Sequence, residues 1–324
     1  MANRIKEKYM AGKRYFDYPM LFLVIFLICF GLVMIYSTSS YKSTVTYGNS
    51  YHWLLRQAVA IVLGAVAMVV CCKLDYRIIK SEKFGNGCYW ASIVLLVLVL
   101  IIGAAKKGAV RWISIAGFQF QPSEVSKILV VIYLANRLSA NAHKIRTFKD
   151  SIVIVLPTVP IIALIVTQNL STALVVCSMI GVMLFVVSPK MKELMLTAGG
   201  GIILLFVYLL TANSYRNERV QIWLHPESHK KGFQTMQALY AIGSGGIFGK
   251  GLGQSMQKMG FIPESHNDMI FSIICEELGL FGAVCLILVF VALIFRMLLI
   301  ALNTEDLFGS LVVIGFMTHI AIQV

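Results

Sequence analysis

Apolar residues fall in nine long blocks separated by polar connections: Pro19–Tyr36, Trp53–Cys72, Tyr89–Ala105, Ser123–Leu138, Ile152–Thr167, Leu170–Ser188, Leu194–Ala212, Met269–Phe295 and Leu307–Val324. Their 16 to 27 residues carry few charges, which is the pattern of helices that cross a hydrocarbon core about 30 Å thick. In that medium every backbone N–H and C=O must be paired within the segment, and a helix does this by itself. The fourth block is the weakest, being short and interrupted by Glu124 and Lys127. The pattern predicts an all-α polytopic membrane protein, a single transmembrane domain over residues 1–324 with an N-terminal tail, 1–18, and one large loop, about 213–268. The first block exceeds the ~7–15 residues of a signal-peptide core and no small-residue cleavage site follows it, so it is expected to remain in the mature chain.

The connections fix an orientation. With the N-terminus inside, sixteen Lys and Arg lie on the inner side and four (Lys42, Lys106, Lys107 and Arg111) in the short outer loops. Cytoplasmic loops carry the excess of Lys and Arg, so the N-terminus is predicted in the cytoplasm and the 213–268 loop outside. Connections beyond ~12–15 residues are usually functional or disordered. This one contains Trp223, Phe233, Tyr240, Phe248 and Phe261, and is expected to fold against the membrane.

Composition narrows the function classes. Of 324 residues 58% are hydrophobic and 13% charged, against ~25% charged in ordinary globular chains. The net charge of +13 is dispersed between apolar blocks and forms no basic, aromatic-interleaved surface, so nucleic acid is not an expected partner. The seven cysteines include no Cys-x-x-Cys pair and read as small hydrophobes. The glycine-rich run Gly243–Gly253 has neither Gly-x-Gly-x-x-Gly spacing nor the Lys-Ser/Thr ending of a P-loop, and no His-Glu-x-x-His occurs.

Ionisable groups at membrane depth or at its outer edge remain, and these are functional candidates by default. Glu124 and Lys127 share a helix face, either as a structural ion pair or as part of a site. Glu276 and Glu277 lie two turns into the eighth block, with helix–helix hydrogen bonding as their structural role. Asp268 stands where the long loop re-enters the membrane. It is either an N-cap or a carboxylate base beside the basic outer-loop residues Lys106, Lys107, Arg111, Arg216, Arg219, Lys250 and Lys258, an arrangement suited to an anionic lipid substrate. Arg111 and Trp112 form a cation and aromatic pair at the headgroup level, an interfacial anchor or a contact with substrate or partner.

Three ordered motifs carry a resemblance: Gln121-Pro-Ser123-Glu124 with Lys127; the run Gln237 to Gly253; and Pro263-Glu264-Ser-His266-Asn-Asp268 followed by Glu276-Glu277-Leu-Gly279. They resemble the signatures of the SEDS family (shape, elongation, division and sporulation), closer to its FtsW division branch than to its RodA elongation branch, with a sporulation paralogue similar at the same places. The resemblance implies a ten-span helix bundle whose tenth span would follow Val324, in the bacterial inner membrane. It also implies a peptidoglycan glycosyltransferase that polymerises lipid II on the outer face for septal wall synthesis. Its partners would be a class B penicillin-binding protein and other divisome proteins.

Asp268 is the expected catalytic base, with Arg111, Trp112, Lys250, Lys258, Glu264 and His266 as substrate contacts, and Gln121, Ser123, Glu124, Lys127, Glu276 and Glu277 as intramembrane groups. Such a reaction needs one base for the attacking sugar hydroxyl. It also needs cations for the leaving diphosphate, from Lys and Arg or a divalent metal such as Mg or Mn. Two positions depart from the family pattern: Asn267 stands where Thr is usual, and Gln168-Asn-Leu-Ser-Thr172 lacks the usual acidic residue. The competing reading is a transporter that flips the lipid-linked precursor, with Glu124, Lys127 and Glu276 as a charged path.

Overall fold

The computed structural model describes residues 16–106, 109–115, 118–145, 147–188, 193, 196, 199–200, 221–229, 232–262 and 265–324. Ten helices carry the fold among the described residues: α1 (Tyr18–Tyr47), α2 (His52–Lys73), α3 (Glu82–Ile102), α4 (Pro122–Asn141), α5 (Phe148–Val155), α6 (Val159–Gln168), α7 (Leu170–Val187), α8 (Phe233–Gly245), α9 (Ile270–Asn303) and α10 (Leu307–Gln323). Among the described residues six stretches are long and apolar enough to cross a bilayer: α1, α2, α3, the run Lys149–Gln168 that joins α5 to α6, α7 and α9. The apolar α10 is shorter. The expected span Leu194–Ala212 lies almost wholly outside the described residues.

Three boundaries differ from the sequence pattern for identifiable reasons. Helix α1 starts where the Asp17 carboxylate accepts from the Met20 N–H at 2.9 Å, with Pro19 in the first turn. It then continues through Ser37-Thr38-Ser39-Ser40 to Tyr47 instead of stopping at Tyr36, and ends at Gly48 in the left-handed region. The hydroxyls do not break it because they bond inside it: Thr38 Oγ1 donates to the Met34 carbonyl and Thr44 Oγ1 to that of Ser40. At ~1.5 Å per residue α1 is about 45 Å long, more than the ~30 Å of a hydrocarbon core. The expected single span Ile152–Thr167 is two helices joined by a 3₁₀ turn, Leu156–Thr158. Pro157 and Pro160 each lack the N–H that a continuous helix would use. Finally, α9 is broken at Gly279 (φ 68°, ψ −171°), a conformation that glycine adopts without steric cost.

The all-α reading of the sequence predicts no strand in the connection between α3 and α4. That connection forms a three-stranded antiparallel sheet, β1 (Ala104–Lys106), β2 (Ala109–Ile115) and β3 (Phe118–Phe120), in the order β1-β2-β3. This is the one departure from an all-α fold among the described residues.

The chain divides into two compact units, interleaved in sequence: Met1–Ala65 with Val220–Arg296, and Val66–Arg219 with Met297–Val324. In the first, Ala241, Ile262 and Ile273 form a small buried core against which Met269 packs. In the second, the core is built from α3, α4, α6, α7 and α10, with Leu96, Leu134, Leu138, Ile161, Ile165, Val176, Met183 and Leu311 among its buried members. Gly315 lets α10 approach α4 closely, since a Cβ there would press on Val131.

Candidate functional site

In the first unit two neighbouring carboxylates, Glu276 and Glu277, are fully buried on α9. Burying a carboxylate is expensive unless it is paired and hydrogen-bonded, and both are. Glu277 meets the Lys258 ammonium at 2.7 Å and accepts from Ser37 Oγ of α1 at 2.7 Å, while Lys258 also donates to Ser37 Oγ at 3.1 Å. Glu276 meets the Lys250 ammonium at 2.7 Å and accepts from the Ser255 hydroxyl, the Met256 N–H at 3.3 Å and Ser244 Oγ at 3.4 Å. Each glutamate closes on one lysine of the loop between α8 and α9.

The same loop explains the glycine-rich run. A continuous α9 would pair the Leu280 and Phe281 N–H groups with the Glu276 and Glu277 carbonyls, one turn back. With the helix opened at Gly279, all four groups meet the loop instead. The Lys250 and Gly251 N–H groups donate to the Glu276 and Glu277 carbonyls at 2.9 Å, and the Leu280 and Phe281 N–H groups donate to the Gly246 and Ile247 carbonyls at 2.9 and 3.0 Å. This backbone-on-backbone seat leaves no room for side chains. A Cβ on Gly249 would collide with the Glu277 carbonyl, and one on Gly245 with that of Cys275. Gly246, Gly249, Gly251 and Gly253 also have positive φ.

Asp268 lies in the turn 265–269 that leads into α9. It is exposed, and its carboxylate makes no hydrogen bond or ion pair among the described residues. The N-cap alternative does not hold. Helix α9 begins two residues later, and the Ile270 N–H donates to the Asn267 carbonyl at 3.3 Å. The turn is anchored from beneath, because Ser265 and His266 are buried while Asn267 and Asp268 face outward. Ser265 Oγ donates to the Thr38 carbonyl at 3.4 Å, and the His266 ring lies 4.9 Å from that of Trp53.

In the second unit Glu124 and Lys127 occupy the start of α4 and form the expected pair, 2.8 Å apart. The burial is one-sided: Lys127 is 1% exposed and Glu124 50%. The Lys127 ammonium approaches the carboxylate off the direction of a hydrogen bond, so the contact is an ion pair without a directed bond. Gln121 Nε2 donates to Ser123 Oγ at 3.0 Å on the same turn. Arg111, on β2, donates from Nε to the Gln168 carbonyl at 2.6 Å, and Trp112 beside it is half-buried.

The sequence therefore named most of the charged partners but, apart from Glu124 with Lys127, not their pairing. Lys258 was expected to face an anionic substrate; it is 5% exposed and committed to Glu277. Lys250 keeps 35% of its side chain exposed while bound to Glu276. Glu264, Lys107, Arg216 and Arg219 lie outside the described residues. Ser37, Ser244 and Ser255 went unread; Ser37, Ser40 and Thr44 recur at helical spacing directly after an apolar block, a signal that could have placed Ser37 but not the other two. Among the described residues no three His, Cys, Asp or Glu side chains gather as metal ligands.

A family model described as "Cell cycle protein", covering FtsW, RodA and SpoVE, matches residues 18–324. The chain is 35% identical to the "Probable peptidoglycan glycosyltransferase FtsW" of Geobacter metallireducens, over 95% of this chain and 83% of the relative. It is also 35% identical to the "Stage V sporulation protein E" of Bacillus subtilis, over 95% and 85%. Among solved structures it resembles one described as "Structural coordination of polymerization and crosslinking by a peptidoglycan synthase complex", with TM-score 0.77, 27% identity, 96% of this chain and 86% of that one. The Rod shape determining protein RodA of Thermus thermophilus matches at TM-score 0.66 and 26% identity, over 94% and 81%.

Proposed function

The chain belongs to the FtsW, RodA and SpoVE family of cell cycle proteins, and from that premise we propose that it is a peptidoglycan glycosyltransferase. It polymerises lipid II on the outer face of the bacterial cytoplasmic membrane, in septal wall synthesis. It works with a class B penicillin-binding protein as crosslinking partner, a pairing supported by its likeness to a peptidoglycan synthase complex.

The observation that carries the catalytic assignment is the contrast among the acidic residues around the head of α9. Glu276 and Glu277 are buried and closed on lysines, whereas Asp268 is exposed and has no partner among the described residues. A free carboxylate at the outer edge can accept a proton. As the acceptor sugar hydroxyl forms its bond to the anomeric carbon of the donor, Asp268 takes the hydroxyl proton. The bond from that carbon to the lipid diphosphate breaks, and the diphosphate leaves with the electron pair. It needs no proton, so a second carboxylate acting as acid, as in glycoside hydrolysis, has no role. It does need positive charge, which we assign to the surface-reaching Lys250 of the same unit.

The test is Asp268→Asn in the purified complex with its crosslinking partner, read as glycan formed from lipid II. Asparagine keeps the shape and loses the basicity. A loss of ~10²–10⁴-fold is expected, with partner binding intact. A variant retaining more than about a tenth of the wild-type rate would exclude Asp268 as the base.

A further inference from the structure

We propose that Trp53 is a positioning residue for the Asp268 carboxylate, a reading that rests on Asp268 acting as the general base. Asp268 is exposed and has no side-chain partner among the described residues, so nothing of its own fixes where its oxygens stand. Its place comes from the backbone of the turn 265–269, and two buried residues anchor that turn from beneath. One is Ser265, whose hydroxyl reaches the Thr38 carbonyl of α1 at 3.4 Å, a long bond. The other is His266, 9% exposed, whose ring packs on the Trp53 indole with centroids 4.9 Å apart and planes at 37°. The His266–Trp53 contact is the broader hold, and it lies two residues from the carboxylate.

Trp53 is itself fixed on its other sides. The Tyr47 ring meets it nearly edge-on at 6.3 Å and the His52 ring at 5.7 Å, while Tyr47 and His52 stack on each other at 3.9 Å. The Arg56 guanidinium lies 5.7 Å from the indole centroid, one turn further along α2. Aromatic pairs in offset or edge-on arrangements, and a cation over an indole, are favourable beyond the area they bury. A column of rings therefore runs from the end of α1, through the start of α2, to the turn that carries Asp268. The simpler role for a tryptophan at this depth is an interfacial anchor, which requires an amphipathic ring in the membrane surface but no contact with His266.

The experiment compares Trp53→Phe, Trp53→Ala and wild type as purified complexes with the crosslinking partner, measuring kcat and KM for lipid II. Displacing a reacting group by about 1 Å can cost roughly 100-fold, so Trp53→Ala should lose on the order of 10–100-fold in kcat with KM little changed. Trp53→Phe, which keeps a ring against His266, should recover most of the rate. Should Trp53→Ala fail to assemble, Trp53→Leu fills the space without a ring face and carries the same comparison. The proposal is overturned if the variant without a ring keeps wild-type kcat, if Trp53→Phe falls as far as Trp53→Ala, or if the loss appears in KM or in assembly alone. Failure of the underlying base assignment would show separately, as an Asp268→Asn complex that still polymerises.

Discussion

Asp268, Glu276 and Glu277 lie within ten residues of one another at the head of α9, and their surroundings give them different work. Glu277 and Lys258 are 0% and 5% exposed, so removing one leaves the other charged and buried, a loss on the order of 3–5 kcal/mol. Glu277→Gln should therefore lower the thermal midpoint in detergent sharply, while Glu277→Gln combined with Lys258→Met should recover part of it. A double variant less stable than both singles would show that the pair is more than mutual neutralisation. The Glu124–Lys127 pair predicts an asymmetry, because the lysine is buried and the glutamate half exposed. Glu124→Gln strands a buried ammonium and should destabilise more than Lys127→Met, which leaves a carboxylate already in contact with water. If both variants keep wild-type midpoints but lose polymerisation, the pair belongs to the reaction and not to folding. Residue types and spacing made this pair legible, since positions three apart share a helix face. The Lys258–Glu277 pair was not, because the two lie 19 positions apart and only the fold of the intervening loop brings them together.

At the scale of elements, the glycine-rich loop and the break in α9 are one construction. The loop supplies the backbone partners that the helix gives up at Gly279, and its two lysines then neutralise the glutamates on the opened turns. Gly249→Ala combines a positive φ of 79° with a collision against the Glu277 carbonyl. It should unseat the loop and sharply reduce the yield of folded protein. Gly243 sits within α8 with open space around its Cα, so Gly243→Ala should be neutral or stabilising by up to ~1 kcal/mol. Thermal unfolding of the two variants checks this, and equal effects would mean that the seat is not what the glycines serve. From sequence the run could be shown not to be a phosphate loop, but its use stayed hidden. A seat of backbone on backbone has no side-chain signature beyond glycine density. The C-terminal end of α1 was missed for a related reason: four consecutive hydroxyl residues lower the hydropathy partway along the helix, yet most of them bond back into it or onto Glu277.

For the whole molecule, the helical membrane fold was legible because the bilayer imposes both segment length and internal pairing on any spanning chain. The division into two units was not, since each draws on distant parts of the sequence. The charge asymmetry between loops predicts that the 213–268 loop lies outside the cell. Ser228, exposed in its 3₁₀ turn, provides the check: a cysteine there should react with an impermeant thiol reagent in intact cells, above the labelling of the parent chain. Labelling only after lysis would invert the topology. Polymerisation of lipid II by the purified chain with its class B penicillin-binding partner, in detergent, tests the proposed activity most directly, because detergent abolishes membrane sides and transport cannot register. The wild-type complex should produce glycan strands. A complex that forms none, while the same chain in vesicles carries lipid II from one leaflet to the other, would contradict the assignment as a glycosyltransferase and identify a transporter.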